Sequence, residues 1–472
     1  MRNQLCIWLT TVLLVAGISS SPELVAQETM SDHHDARHQK YKLIDLGTLG
    51  GPASYLANGA DGILNNQGIL SGWANTATPD PFPAACASPN CFVTHAFETR
   101  NGMLNDLGTL PHGASSQAFW TTSNGLIAGF SQNGDVDPLV PDFPELRAVL
   151  WKHGSIVDLG TLPGGHESVA AAVNSRGEVS GFALNDIPDN YSLVGLGTQT
   201  RAFLWKPGTG MKDLGTLGGP DAFAAFINEN GQVAGYSYTN ATPNAVTGIP
   251  TQNPFLWQNG VMRDLGSLGG TNGTVTGLNN SGAVIGQSNL AGDLFFHPFV
   301  WTSKNGMRDL GTLGGHTGVT NWINDAGEVA GKADLPGPDP QLHDAVLWEH
   351  GKVIDLGTLP GDVCGNAYFV NSRGQVVGTS EDKTLCAIPA GQHAFLWEHG
   401  GPMIDLNLLI PPRSGLLLTY AVAINDHGEI AGFGVPPGCK PEDYESCGHA
   451  YILEPDGDCD EATEARIAGS EK

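Results

Sequence analysis

From residue 41 onward, short apolar runs rich in Val, Ile, Leu and aromatic residues alternate with clusters of Gly, Asn, Asp and Pro. Runs this short between such breakers predict β-strands. Residues 319–356 show the pattern in one unit, with runs at 319–323, 328–330, 345–348 and 353–356, here called a, b, c and d. Between a and b lies Asn324-Asp325-Ala326-Gly327, where Asn can bond its own backbone and Gly supplies the positive φ of a tight turn. Between c and d lies Glu349-His350-Gly351, equally tight. Two tight turns at one end of a unit predict an antiparallel meander.

The unit repeats. Asp-Leu in strand d returns at Asp45, Asp106, Asp158, Asp213, Asp264, Asp309, Asp355 and Asp405, about every fifty residues. In its fullest form it reads Asp213-Leu214-Gly215-Thr216-Leu217-Gly218-Gly219. Between copies come an Asn-x-x-Gly-x-x-x-Gly turn and strand, such as Asn228 to Gly235, and an aromatic strand usually ending in Trp, such as Phe255-Leu256-Trp257. A four-stranded unit of about fifty residues, repeated radially, is a β-propeller blade. A parallel β-helix needs shorter coils and leaves the paired turns unexplained. The expected fold is therefore all-β, a propeller of four-stranded antiparallel blades. The turn glycines Gly68, Gly125, Gly177, Gly231, Gly282, Gly327, Gly374 and Gly428 set the number of blades at eight.

The ends of the series test closure. It begins with a lone d strand at 42–46 and ends with a c strand at 449–453 that no d follows. The N-terminal strand should complete the last blade, which removes the open edge that invites aggregation. Length variation falls in the b–c connections, at 75–94, 131–146, 184–200, 238–252 and 332–343. In a meander b–c and d–a open opposite the tight turns, so every insertion should land on one face.

The chain divides into a signal peptide at 1–26, a polar linker at 27–40, the propeller at 41–454 and an acidic tail at 455–472. Residues 1–26 carry Arg2, an apolar segment and small residues at the end, the layout of a secretory leader. A single membrane anchor is the alternative, but the apolar run is shorter than the roughly 20 residues a span needs. The expected location is secreted, extracellular or periplasmic, with no membrane span after the leader is removed. The formal net charge of −26 argues against nucleic acid and against anionic lipid as partners. The expected oligomeric state is a monomer.

An oxidising compartment lets cysteines pair. Cys86 and Cys91 share one insertion, Cys439 and Cys447 another, and Cys364 and Cys386 flank the inner strands of the seventh unit, so these are the three candidate disulfides. Cys459 is left over.

The tripeptides His95-Ala96-Phe97 and His393-Ala394-Phe395, with variants His449-Ala450-Tyr451, His297-Pro298-Phe299 and Arg201-Ala202-Phe203, resemble the HAF repeat of extracellular, mostly bacterial proteins. The likeness covers about residues 41–454 and implies a secreted repeat protein; it carries no set of catalytic residues. Thr122 replaces the turn Asn in unit two, and Asn407 replaces the motif Gly in unit eight.

Most repeated residues read as frame. Trp151, Trp205, Trp257, Trp301, Trp348 and Trp397 should pack between blades, with sugar stacking as the alternative. The motif aspartates should bond turn backbone, and the repeat histidines should bond between strands. Chemistry is expected where copies differ. On the d–a connections, expected nearest the central funnel, the departures are His112, His166, Glu167, Asp221, His316 and Asp362. Imidazoles and carboxylates from several blades could ligate a metal or serve as acid and base. No spacing such as His-Glu-x-x-His joins them, and plain loop polarity is the alternative. The insertions hold Asp135, Asp137 and Asp142, then Asp334 and Asp339, then Glu442, Asp443 and Glu445. Such clusters suit Ca²⁺, but a solvated acidic rim is the simpler expectation. No metal, cofactor or catalytic residue is assigned. The reading is a secreted, non-catalytic scaffold binding an extracellular protein or glycan through variable loops, and its rival is a secreted polysaccharide lyase or hydrolase with a centre in the funnel.

Overall fold

The computed structural model describes residues 39–57, 62–337, 342–382, 386, 391–398 and 400–456. The expected leader, residues 27–38 of the linker, Asp339, Cys459 and the tail beyond Asp456 lie outside the described residues.

Strands a to d of the first blade are Gly50–Tyr55, Ser71–Pro79, Phe92–Arg100 and Met103–Asp106. Those of the sixth are Gly318–Ile323, Val329–Asp334, His343–Glu349 and Lys352–Gly357. Each blade pairs its strands in the order a-b-c-d, and eight blades follow one another. Blades four and five merge into one sheet through a parallel pairing of Gln252 with Asn272, because strand a of blade five starts early, at Gly269–Leu278.

Closure is as the sequence implies. Tyr41–Asp45 pairs antiparallel with His449–Pro455, placing Ile44 opposite Ile452. Two residues of the expected linker join it: Gln39 donates to the Asp456 carbonyl, and the Lys40 carbonyl accepts from Asp456 N–H. The last blade is thus built from both ends of the series.

Four of the c–d turns use two successive residues of positive φ, such as His350 at 51° and Gly351 at 75°. That geometry matches the right-handed twist of the strands it joins. The a–b turns do more than reverse the chain. In blade four, Oδ1 of Asn228 accepts the N–H groups of Asn230 and Gln232, while Nδ2 donates to the carbonyl of Asn279 in the next blade at 3.0 Å. The same link runs from Asn174 to Asn228, Asn279 to Asn324, Asn324 to Asn371, Asn371 to Asn425, Asn425 to Asn65 and Asn65 to Thr122. The step from Asn425 to Asn65 crosses the closing seam. Thr122 carries no amide to continue the chain of bonds, and there Asn124 donates to the Ser175 carbonyl instead.

The Trp positions pack as expected against the preceding blade. Trp257 joins Ala202 and Leu204, Trp348 joins Ala283 and Ile285, and Trp151 donates from its indole N–H to the Leu107 carbonyl. Burying so large a ring at six of the eight seams helps hold neighbouring blades face to face.

Strand a lines the central channel and carries a bulge at one place in seven blades, for example between Ala118 and Trp120 and between Thr320 and Trp322. The residue two before the turn Asn is therefore re-aimed. At that position Trp120, Phe226, Trp322 and Phe369 are interspersed with Ala172, Gly277 and Ala423. The small residues leave room for the rings, which meet across the channel: Trp120 and Trp322 have centroids 6.2 Å apart, and Trp322 stacks on Phe369 at 4.3 Å.

Candidate functional site

The b–c and d–a connections share the face opposite the Asn turns, as the meander requires. Three disulfides shape it: Cys86–Cys91, Cys364–Cys386 and Cys439–Cys447. The insertions of blades one and eight meet over the closing seam. Tyr55 Oη donates to the Glu445 carbonyl at 2.9 Å, and Asn90 Nδ2 donates to the Ser446 carbonyl at 3.0 Å. The one-turn helix Tyr444–Cys447 brings Tyr444 against Tyr420 of strand a, with ring centroids 5.1 Å apart.

The repeat polar residues do what the pattern suggests. Each motif Asp accepts the N–H two residues on, as Asp213 does from Gly215 at 2.7 Å. The HAF-type histidines bond across to strand d: His95 to Asp106, His297 to Asp309 and His449 to Asp45, at 2.8, 2.8 and 3.0 Å. Arg201 takes the same role with Asp213. His393 departs, bonding Asp362 at 3.1 Å, while Asp405 instead caps the 3-10 turn Leu406–Leu408 through Asn407 N–H.

The six candidate residues fall in five different seams, each with partners of its own. His112 is exposed, with φ of 68°, in the connection from blade one to two. His166 sits between blades two and three, with Nδ1 2.9 Å from Glu145 Oε1, and Arg147 pairs with the other oxygen of Glu145 at 2.8 Å. Glu167, beside it, is buried, with its carboxyl against that of Asp137. Burial first, and then the Asp137 charge, pushes its pKa up to about 8. Asp221, at the next seam, is fully buried and accepts Leu193 N–H at 2.7 Å; burial, then the neighbouring Asp189, raises it to about 7. His316 stacks on Phe295 with centroids 4.4 Å apart. Asp362 holds His393, its side chain 4 % exposed.

His166, Glu167, Asp221 and His316 thus pack against the preceding blade's c strand or insertion, Asp362 bonds His393 of the following blade, and the six candidates stay apart at five seams. The acidic insertion residues divide the same way. Asp137 is buried against Glu167, and Asp334 accepts from Thr317 N–H and Oγ1. Asp135, Asp142 and Glu442 stay exposed. Among the described residues, His343, Cys364 and Cys386 have metal-ligand proximity, but the two sulfurs are bonded to each other.

Sequence reasoning missed two features. The carboxyl pairs Glu167–Asp137 and Asp221–Asp189 join residues about thirty apart, and no periodicity links them. The ring cluster in the channel was legible in principle, since Trp120, Phe226, Trp322 and Phe369 hold one place relative to the turn.

No protein-family model and no curated protein matches the chain. Solved structures that resemble it include the β-propeller domain of the Trilobed protease from Pyrococcus furiosus, at 9 % identity and TM-score 0.42, covering 76 % of this chain and 98 % of that one. Another is the acylaminoacyl peptidase of Pyrococcus horikoshii, at 10 % and 0.42, covering 81 % of this chain and 58 % of that one. A third is the oligogalacturonate lyase of Vibrio parahaemolyticus, at 9 % and 0.36, covering 82 % and 98 %. The chain spans under two thirds of the peptidase. At these values the likeness bears on nothing beyond the fold. No described helix is long and apolar enough to cross a membrane.

Proposed function

We propose that this is a secreted HAF-type repeat protein whose loop-bearing face binds an extracellular protein. One observation carries the reading. Of the eleven exposed large apolar side chains among the described residues, six, Leu139, Ile187, Val246, Leu294, Phe295 and Leu408, stand on b–c or d–a connections, while Met103, Val157 and Val261 lie on strand d. Each of the six keeps apolar area in water that a partner could cover, at roughly 25 cal/mol per Å². They stand among exposed carboxylates such as Asp135, Asp142 and Glu442, so the partner surface is apolar with a basic border. The three disulfides pin the loops in advance, which lowers the ordering cost of binding. The leader-like segment at 1–26 supports delivery to the compartment where those disulfides persist.

The test is to screen the immobilised protein against extracellular proteins and glycans. The variant exchanges residues 131–146 for a short Gly-Ser turn. The expected outcome is a protein partner whose binding weakens at least tenfold in the exchanged variant and with added salt. Turnover of a polysaccharide that His166→Ala abolishes would replace this reading with the enzymatic one.

A further inference from the structure

The opposite face holds a cavity that none of the foregoing uses. It is the mouth of the central channel at the Asn-turn end, with a volume of about 290 Å³. That is near the small end of the roughly 300–1,000 Å³ range of small-molecule pockets. Its floor is the half-buried rings of Trp120, Trp322 and Phe369. Its rim is the residue that follows the turn Asn, a position that is Glu229 in blade four, Asp325 in blade six and Asp426 in blade eight.

The three carboxylates are held in place by neutral groups of the adjacent blade. Asp325 accepts from Asn280 N–H and Nδ2 at 2.8 and 2.9 Å. Asp426 accepts from Ser372 N–H at 3.0 Å and from Asn66 Nδ2 at 2.8 Å, and Glu229 accepts from Ser175 N–H at 3.1 Å. Among the described residues none of the three forms an ion pair. The nearby Arg176 is paired with Glu178 and donates to the Glu229 carbonyl, and Arg373 lies close to the blade-eight turn. The mouth therefore joins half-buried aromatic rings to three carboxylates that form no ion pair among the described residues, with the Arg373 charge acting on Asp426. The features that set this mouth apart are its charge and its π-faces.

We propose that this mouth binds a small organic cation, an alkylammonium or guanidinium group, between the Trp120–Trp322–Phe369 floor and the Glu229–Asp325–Asp426 rim. A cation over an aromatic face is attracted by the ring quadrupole, most strongly for Trp, and carboxylates at the border add Coulomb attraction. The group could come from a free amine or from a lysine or arginine side chain, which share this chemistry.

The test is calorimetric titration of the full chain with agmatine, tetramethylammonium and N-acetyl-lysine methylamide, followed also by tryptophan fluorescence. Butanol and methyl glucoside serve as neutral controls. The expected result is binding of the cations, with a change in tryptophan emission, and none of the controls. Trp322→Leu and, separately, the double change Asp325→Asn with Asp426→Asn should each weaken binding about tenfold. The double variant changes only exposed or half-buried groups, so it keeps the test valid if Trp322→Leu fails to fold. Tighter binding of the lysine derivative than of agmatine assigns a protein side chain as the source, and the reverse order a free amine. Equal affinity for neutral controls, unchanged affinity in the double variant, or no cation binding at all would overturn the proposal. Loss of partner binding at the loop face would not touch it.

Discussion

On the Asn-turn face, seven Asn side chains each donate to a backbone carbonyl of the next blade, and the chain of bonds breaks only between blades two and three. On the loop face the corresponding polar groups turn inward, to the seam in which they stand: His166 to Glu145, Asp221 to Leu193, Asp362 to His393. One face ties blade to blade with a single repeated bond. At the positions that depart from the repeat, the other solves each seam separately. A face whose bonds run through every blade cannot tolerate length changes, whereas a face of local clusters can carry insertions of any size. The division between frame and variation is thus a matter of where the hydrogen bonds go.

The comparison breaks hardest at the closing seam, where both ends of the frame meet. Deleting residues 41–49 removes the strand that pairs with His449–Pro455. The expected loss exceeds the roughly 4–5 kcal/mol that single substitutions rarely pass, and shows as a collapse of the thermal transition or as aggregation. A truncated protein that melts like the parent would remove the argument for closure.

Next come single links. Asn279→Ala deletes the bond to Asn324 and leaves the Ser281 N–H and the buried Ala283 N–H without their acceptor, at an expected cost of about 2–3 kcal/mol in denaturant unfolding. Asn185→Ala, on the loop face, loses bonds to Gln199 and Ile187 near solvent and should cost less than about 1 kcal/mol. Equal costs would erase the contrast.

A pH series sharpens the loop side. Glu167 and Asp221 have pKa values of about 8 and about 7 in the fold, above their ordinary values of 4.5 and 3.8. A raised acid binds its proton more tightly when folded, so the stability it contributes is complete below about pH 4 and is lost as pH rises through 7 to 8. Melting curves should show a decline on the order of a few kcal/mol across that window, and Glu167→Gln should flatten part of it. A variant with the parent's slope would place the effect elsewhere.

The last effect is a gain. Thr122→Asn supplies the missing amide, and the Asn174 carbonyl, which accepts from Gly177 N–H, has a second lone pair to receive it. Stability should rise by about 1 kcal/mol, read as a higher denaturation midpoint at unchanged slope.

Much of this was legible before the structure. Repeated Asp-Leu, turn Asn and aromatic strands fixed the blade, and the missing d strand at the end fixed the closure, because a repeat reports its own period. The Trp places and the motif Asp turns followed from the same register. The candidate residues were another matter. His112, His166, Asp221, His316 and Asp362 stand out because they depart from the repeat, and departure carries no direction. Whether two such groups meet depends on insertion paths that no period governs, as Glu167 meeting Asp137 shows. The link from one turn to the next was also hidden, since Asn bonding its own turn already explained its presence. Only the three-dimensional stacking of turns shows what its second polar atom does.

Building the last blade from both ends sets a clock on the molecule's assembly. The strand Tyr41–Asp45 is among the first parts of the propeller to be made, and its partner His449–Pro455 comes about 400 residues later. At roughly 5–20 residues per second of synthesis, that is a wait of about 20–80 s. Blades one to seven have all their strands by residue 405, so they can form in sequence while the first strand stays unpaired. Until the final c strand arrives, the growing chain carries a free strand edge at its beginning and an unfinished ring at its end, and it is then that a second copy could supply the missing partner.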